Sequence, residues 1–196
     1  MRERLKILLI IDYSTLDGGA ELQMHALSQH LSQRGHSVRS LSSDVALTAG
    51  FTPTADRLCR GYTGKRQVIS QTANLGAQRV LCRELAEHNP DVVHIRTFLW
   101  QLSPLLLPVL RNVPVLFQAA VYKAICPNGT KILPDGSPCT ERAGAVCLKS
   151  KCVAPLSWVS TMAQLALLKR WKPNIDRVAT LSSRMADLFE QNGWSN

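Results

Sequence analysis

The feature that most constrains this chain is the alternation of short apolar runs with amphipathic stretches. Lys6–Asp12 (KILLIID) is a continuous apolar run ending in a carboxylate, the pattern of a strand buried on both faces. A loop closing on Gly18-Gly19 follows. Ala20–Arg34 then places Ala20, Met24, Leu27 and Leu31 on one stripe of a helix, and Gly35 stands at its C-terminal cap position. Ser37–Leu41 predicts a second strand, and Gln71–His88 a helix stopped by Asn89-Pro90. Asp91–Ile95 and Pro114–Phe117 predict two more strands, with Ser103-Pro104 opening a helix to Leu110 between them. Leu156–Trp171 predicts a helix with Val159, Ala163 and Leu167 in register. Arg177–Leu181 predicts a fifth strand, and Ser182 caps a last helix ending before Gly193.

Two stretches break the pattern. Asp44–Ser70 carries Gly50, Pro53, Gly61 and Gly64 and predicts a long loop, and Lys123–Pro155 is rich in Gly, Pro and Cys. The expected class is therefore α/β: a Rossmann-like parallel sheet with helices on both faces, plus a long cysteine-containing loop. We expect one domain over residues 1–196, with 123–155 inserted in it. Ligands of such a sheet sit at the C-terminal ends of its strands.

A chain of 196 residues, 45% hydrophobic, is long enough for one packed core and short for two. The net charge of +9 favours anionic partners: phosphorylated metabolites, anionic lipid or nucleic acid. Nucleic acid ranks last, because no aromatics interleave the basic clusters. Those clusters (Arg57, Arg60, Lys65 and Arg66; Lys149 and Lys151; Lys169, Arg170 and Lys172) read singly as solvated faces. Lys6–Ile11 is too short to span a membrane, and Leu102–Leu110 is interrupted by Pro104 and Pro108. These features lead us to expect a cytoplasmic protein, peripheral at most to the inner, anionic face of a membrane.

Two constellations could carry chemistry. Asp17-Gly18-Gly19-Ala20-Glu21 joins the first strand to the first helix, where unpaired N–H groups point toward an anion. It is neither G-x-G-x-x-G nor a P-loop, and a tight turn needing positive φ is the competing reading. Cys126, Cys139, Cys147 and Cys152 form C-x12-C-x7-C-x4-C, which fits a structural zinc site or free or paired thiols. His94 falls in the third strand, near the end where ligands bind, and a buried, hydrogen-bonded histidine is its other reading.

These landmarks together resemble family 4 GT-B glycosyltransferases. Gly18-Gly19-Ala20-Glu21 and Arg34-Gly35-His36-Ser37-Val38 resemble the family's opening. Pro90-Asp91-Val92-Val93-His94 is similar to its third strand. Tyr122-Lys123, Cys126-Pro127-Asn128-Gly129 and Asp135-Gly136-Ser137-Pro138-Cys139 are similar to the segment after the fourth strand, and Asp176–Ser182 to the strand closing the first domain.

The resemblance implies the N-terminal, acceptor-side domain of a retaining enzyme that moves sugar from a nucleotide sugar to a carbohydrate or lipid-linked acceptor. Gly18, Gly19, His94, Arg96 and Tyr122 would line the donor-phosphate and substrate site. Helix N-termini and basic side chains would serve the departing diphosphate, with no cofactor required for catalysis. A separate or missing C-terminal GT-B domain would carry the nucleotide pocket and the E-x7-E carboxylates, so the chain is expected to be inactive alone. It departs from the family pattern at Ala120-Val121, where many members have His-Asp, and at Arg96, where many have a second His. Arg96 reads equally as a cleft residue and as a surface arginine. The alternative function is a non-catalytic phosphate- or nucleotide-binding module with a zinc-stabilised interaction loop.

Overall fold

The computed structural model describes residues 4–194. Its elements are β1 (Lys6–Ile10), α1 (Gly19–Gln33), β2 (Ser37–Ser43), α2 (Val45–Thr48), β3 (Arg57–Cys59), α3 (Gln67–Thr72), α4 (Leu75–His88), β4 (Val92–Ile95), β5 (Val115–Ala119), α5 (Ala145–Lys149), α6 (Pro155–Trp171), β6 (Arg177–Thr180) and α7 (Ser183–Gln191). All six strands are parallel, in the order β3-β2-β1-β4-β5-β6. This is a Rossmann-like α/β sheet. Its order reverses between β1 and β4, which opens a crevice at their C-terminal ends.

Strand alternation sets the two cores. Ile7, Leu9 and Ile11 pack under α1, against Met24, Leu27 and Leu31 of the expected stripe. Leu8, Ile10, Val93, Ile95 and Phe117 face the other way, onto α4, α6 and α7.

Several expectations need correction. Asp44–Ser70 is not a bare loop: it holds α2, the edge strand β3 and the start of α3. The strand pairs with β2, and Arg57 also ties it to α4. Its Nε donates to Glu84 Oε2 at 2.9 Å, Arg39 of β2 donates to Glu84 Oε1 at 3.0 Å, and Glu87 completes the quartet. The expected helix Gln71–His88 is broken at Asn74. Its Oδ1 caps α4 by accepting from Ala77 N, while its Nδ2 donates to the carbonyls of Arg60 and Gln101. Pro104–Leu110 is a 3-10 helix, since Pro108 has no N–H to continue an α-helical ladder. Lys123–Pro155 is a folded segment, with an isolated bridge between Ile132 and Pro138 and the short helix α5.

The largest reversal concerns α6. Val159 and Ala163, expected inside, are exposed, whereas Ser160, Thr161 and Gln164 are buried. Gln164 Nε2 donates to Leu99 O at 2.7 Å and also to Gln71 O, and Gln71 Nε2 donates to Ser160 Oγ at 3.2 Å. Polar pairing and the buried Leu168 together seat this helix, and an apolar stripe through Leu156, Val159, Ala163 and Ala166 faces out.

Asp12 joins the crevice together. Fully buried at the end of β1, its carboxylate accepts from the backbone N–H of Gln101 (2.7 Å), Trp100 (3.1 Å) and Leu102 (3.1 Å). Burial nonetheless outweighs these donors and lifts its pKa from 3.8 to about 6. The folded state thus takes up this proton at higher pH than the unfolded chain. Stability from Asp12 should rise as pH falls from about 6 toward 3.8, by about 3 kcal/mol for a shift of about two units. Urea unfolding from pH 7 to pH 4 should show this slope, and Asp12→Asn should remove it. Asp12→Ala strands three buried N–H donors and should cost about 3 kcal/mol or more at any pH in that range.

Candidate functional site

The crevice between β1 and β4 opens as a cavity of about 460 Å³. Gly19, Ala20, Glu21 and Gln23 of α1 form one wall, and Arg96, Thr97 and Trp100, following β4, form another. Tyr13, Ala120, Val121 and Leu181 complete it from the ends of β1, β5 and β6. The first turn of α1 thus opens onto this cavity, and its N–H groups have no intrahelical partners.

Gly18 and Gly19 behave differently. Neither has positive φ, so the tight-turn reading does not hold for them. A Cβ on Gly18 would lie 2.0 Å from Glu21 Oε2, and Gly18 borders a neighbouring cavity with Asp17, Val45 and Phe51. A Cβ on Gly19 would meet nothing within 4 Å. That open space belongs to the cavity.

Arg96 is the central charge. Only 4% exposed, it donates from Nη2 to Gln23 Oε1, while its buried Nε has no hydrogen-bond partner. Among the described residues, ion pairs join only Arg39, Arg57, Glu84 and Glu87, so Arg96 has no carboxylate in contact. Burial lowers its pKa and the nearby Glu21 charge raises it. It is a cleft residue, not a surface arginine.

The remaining candidates separate. His94 points to the same side of β4 as Arg96 but does not line the cavity; its Nε2 lies 3.2 Å from Gln118 Oε1. Burial first, and then the charge of Arg96, lower its pKa and favour the neutral ring. Tyr122 packs against the core, and its backbone N–H bonds Gly129 O at 2.9 Å, away from the cavity. Cys126, Cys139, Cys147 and Cys152 are free thiols. Burial, then the charges of Cys147, Cys139 and Cys126, raise the pKa of Cys152. Among the described residues, no three His, Cys, Asp or Glu side chains stand in metal-holding geometry.

Sequence reasoning missed Gln23, Trp100 and Lys123. Lys123 is buried, donates to Pro127 O at 2.7 Å and lies 4.2 Å from the centre of the Trp100 ring. Burial brings its pKa down to about 8. A lysine followed three residues later by Cys126-Pro127 gave no sign of this burial.

The arrangement brings together two groups that attract an anion. A helix N-terminus and a buried, incompletely bonded guanidinium face one space, and no acidic group neutralises Arg96 by direct contact. Gly19→Val is expected to leave the melting temperature nearly unchanged while filling the cavity. A large loss of stability, read in a thermal melt, would mean that Gly19 serves the fold instead.

The family model described as Glycosyltransferase Family 4 matches residues 17–119. No curated protein sequence matches the chain. Among solved structures, one described as a UDP-N-acetylglucosamine 2-epimerase from Listeria monocytogenes superposes with a TM-score of 0.55 at 11% identity, over 99% of this chain and 44% of that one. A variant of Os79 from O. sativa, in complex with UDP, superposes with a TM-score of 0.50 at 13% identity, over 94% of this chain and 50% of that one. At these identities the likeness is one of fold. The chain spans about half the length of these solved relatives.

Proposed function

The chain belongs to glycosyltransferase family 4, and from that premise we propose that it is the acceptor-side half of an enzyme transferring sugar from a nucleotide sugar to a carbohydrate or lipid-linked acceptor. Residues 1–196 would form one N-terminal domain, with 123–155 inserted in it. A C-terminal GT-B domain would supply most donor contacts, leaving this half inactive alone.

One observation carries the reading: the α1 N-terminus and the buried guanidinium of Arg96 line one cavity at the strand-order reversal. Sugar transfer from a nucleotide donor develops negative charge on the departing diphosphate. Fixed dipoles and a desolvated cation stabilise that charge with little reorganisation. Ala120 and Val121 offer no proton-transferring side chain at the cavity wall. Here the chain's part is to hold and orient phosphate, with acid–base work left to other groups.

The test uses this chain and inorganic pyrophosphate. Titration followed by NMR should shift the amides of Gly19, Ala20 and Glu21. Arg96→Gln should weaken binding by about tenfold or more, the loss of one charge-assisted contact. Shifts confined elsewhere, or undiminished binding by the variant, would overturn the site. Micromolar affinity of the isolated chain for any UDP- or GDP-sugar would contradict the half-enzyme reading.

The apolar Ala120 and Val121 favour a second reading, a non-catalytic phosphate- or nucleotide-binding module whose thiol segment is closed by structural zinc. In that case protein purified under reducing conditions carries about one zinc per chain, as a four-thiolate site requires. Elemental analysis that finds none, with four titratable thiols in that segment, removes this reading.

A further inference from the structure

The exposed side of α6 is unusual for a solvated helix. Leu156 is 71% exposed and Val159 59%, with Pro155, Ala163 and Ala166 also exposed. Residues 154–168 contain no charged side chain, so four turns of helix meet solvent with no ionic group. Such a stretch normally faces a core. Here the core side is occupied by Ser160, Thr161 and Gln164 together with Leu168. The neighbouring α3, hydrogen-bonded to α6 through Gln71, adds a 60%-exposed Ile69.

Charge brackets this apolar face. Residues 142–175 include six Lys or Arg (Arg142, Lys149, Lys151, Lys169, Arg170 and Lys172) and no Asp or Glu. None of them is in an ion pair among the described residues. Along one flank of α6 lies a cavity of about 390 Å³. Leu165, Leu168 and Trp194 line it together with Arg142, Lys169 and Lys172. Apolar floor and cationic rim together match a molecule with an anionic head and an apolar tail.

We infer that α6 is the site by which this protein lies on an anionic lipid surface, its apolar face in the headgroup–acyl boundary and its flanking cations on the lipid phosphates. No described helix is long and apolar enough to cross a membrane, so α6 lies in the plane of the surface. At 17 residues it is about 25 Å long and presents its whole length. Nucleic acid would use the cations but has no place for Leu156 and Val159. The inference is independent of sugar transfer, since none of its residues lines the Arg96 cavity.

Co-sedimentation with vesicles of mixed phosphatidylglycerol and phosphatidylcholine tests it, with pure phosphatidylcholine as control. The chain should bind the anionic vesicles, less at high salt, and should bind the neutral ones weakly. Leu156→Asp/Val159→Asp should reduce binding by about tenfold or more. Both positions are exposed, so its melting curve should match that of the wild type. Lys169→Glu/Arg170→Glu, which leaves the apolar residues intact, should abolish the preference for phosphatidylglycerol. Absence of binding, or equal binding by either variant, overturns the inference. So does sedimentation showing a wild-type dimer that Leu156→Asp/Val159→Asp dissociates, because the face then belongs to a second copy of this chain.

Discussion

The carboxylate of Asp12 fixes the geometry on which the crevice depends. It closes β1 and gathers three successive N–H groups of the segment after β4, while its own carbonyl accepts from Ser42 Oγ, Ser43 Oγ and Ser43 N. One residue thereby fastens three strand ends across the point where the sheet order reverses. Gln101, held by that carboxylate, extends the web through its side chain to Tyr13 Oη, Tyr62 and Ser70. The turn carrying Thr97 and Trp100 is thus set by polar bonds in a dry interior, where each counts for more than at the surface.

Within this frame, positive charge is held at a cost. Arg96 is buried with Nε unbonded, Lys123 is buried against Trp100, and His94 is kept toward its neutral form. Buried cations without counter-charges destabilise a fold. Buried basic groups gathered at the strand ends are in keeping with the anion site proposed there. An anion bound as proposed would supply the missing counter-charge and offset part of that cost.

Much of the fold was legible because the central strands announce themselves. Lys6–Ile10, Val92–Ile95 and Val115–Ala119 are apolar runs bounded by breakers, and α1 keeps its stripe of Met24, Leu27 and Leu31. What escaped depends on distant partners. β3 is three residues long and relies on Glu84 and Glu87, 27 and 30 positions away. α6 reads backwards because periodicity assumes that apolar side chains go inside, and here hydrogen bonds decide. The lack of charge over 154–168 was the available warning. Gly19 stands at a helix start and Arg96 just past a strand end, places the sequence marks, though whether Arg96 turns inward depends on packing it does not show. Trp100 and Lys123 come from loops whose paths only Asp12 and the core determine.

The polar seam under α6 bears on how the chain is built. Gln164 bonds carbonyls 93 and 65 positions earlier, and Ser160 meets Gln71 across 89. As the chain emerges from a ribosome, the carbonyls of Gln71 and Leu99 stay with water until the helix arrives to replace it. Closing loops of that length is slow relative to forming α1 or α4 locally. Until α6 docks, both faces of the helix and the carbonyls it covers stay open to solvent, a state prone to aggregation.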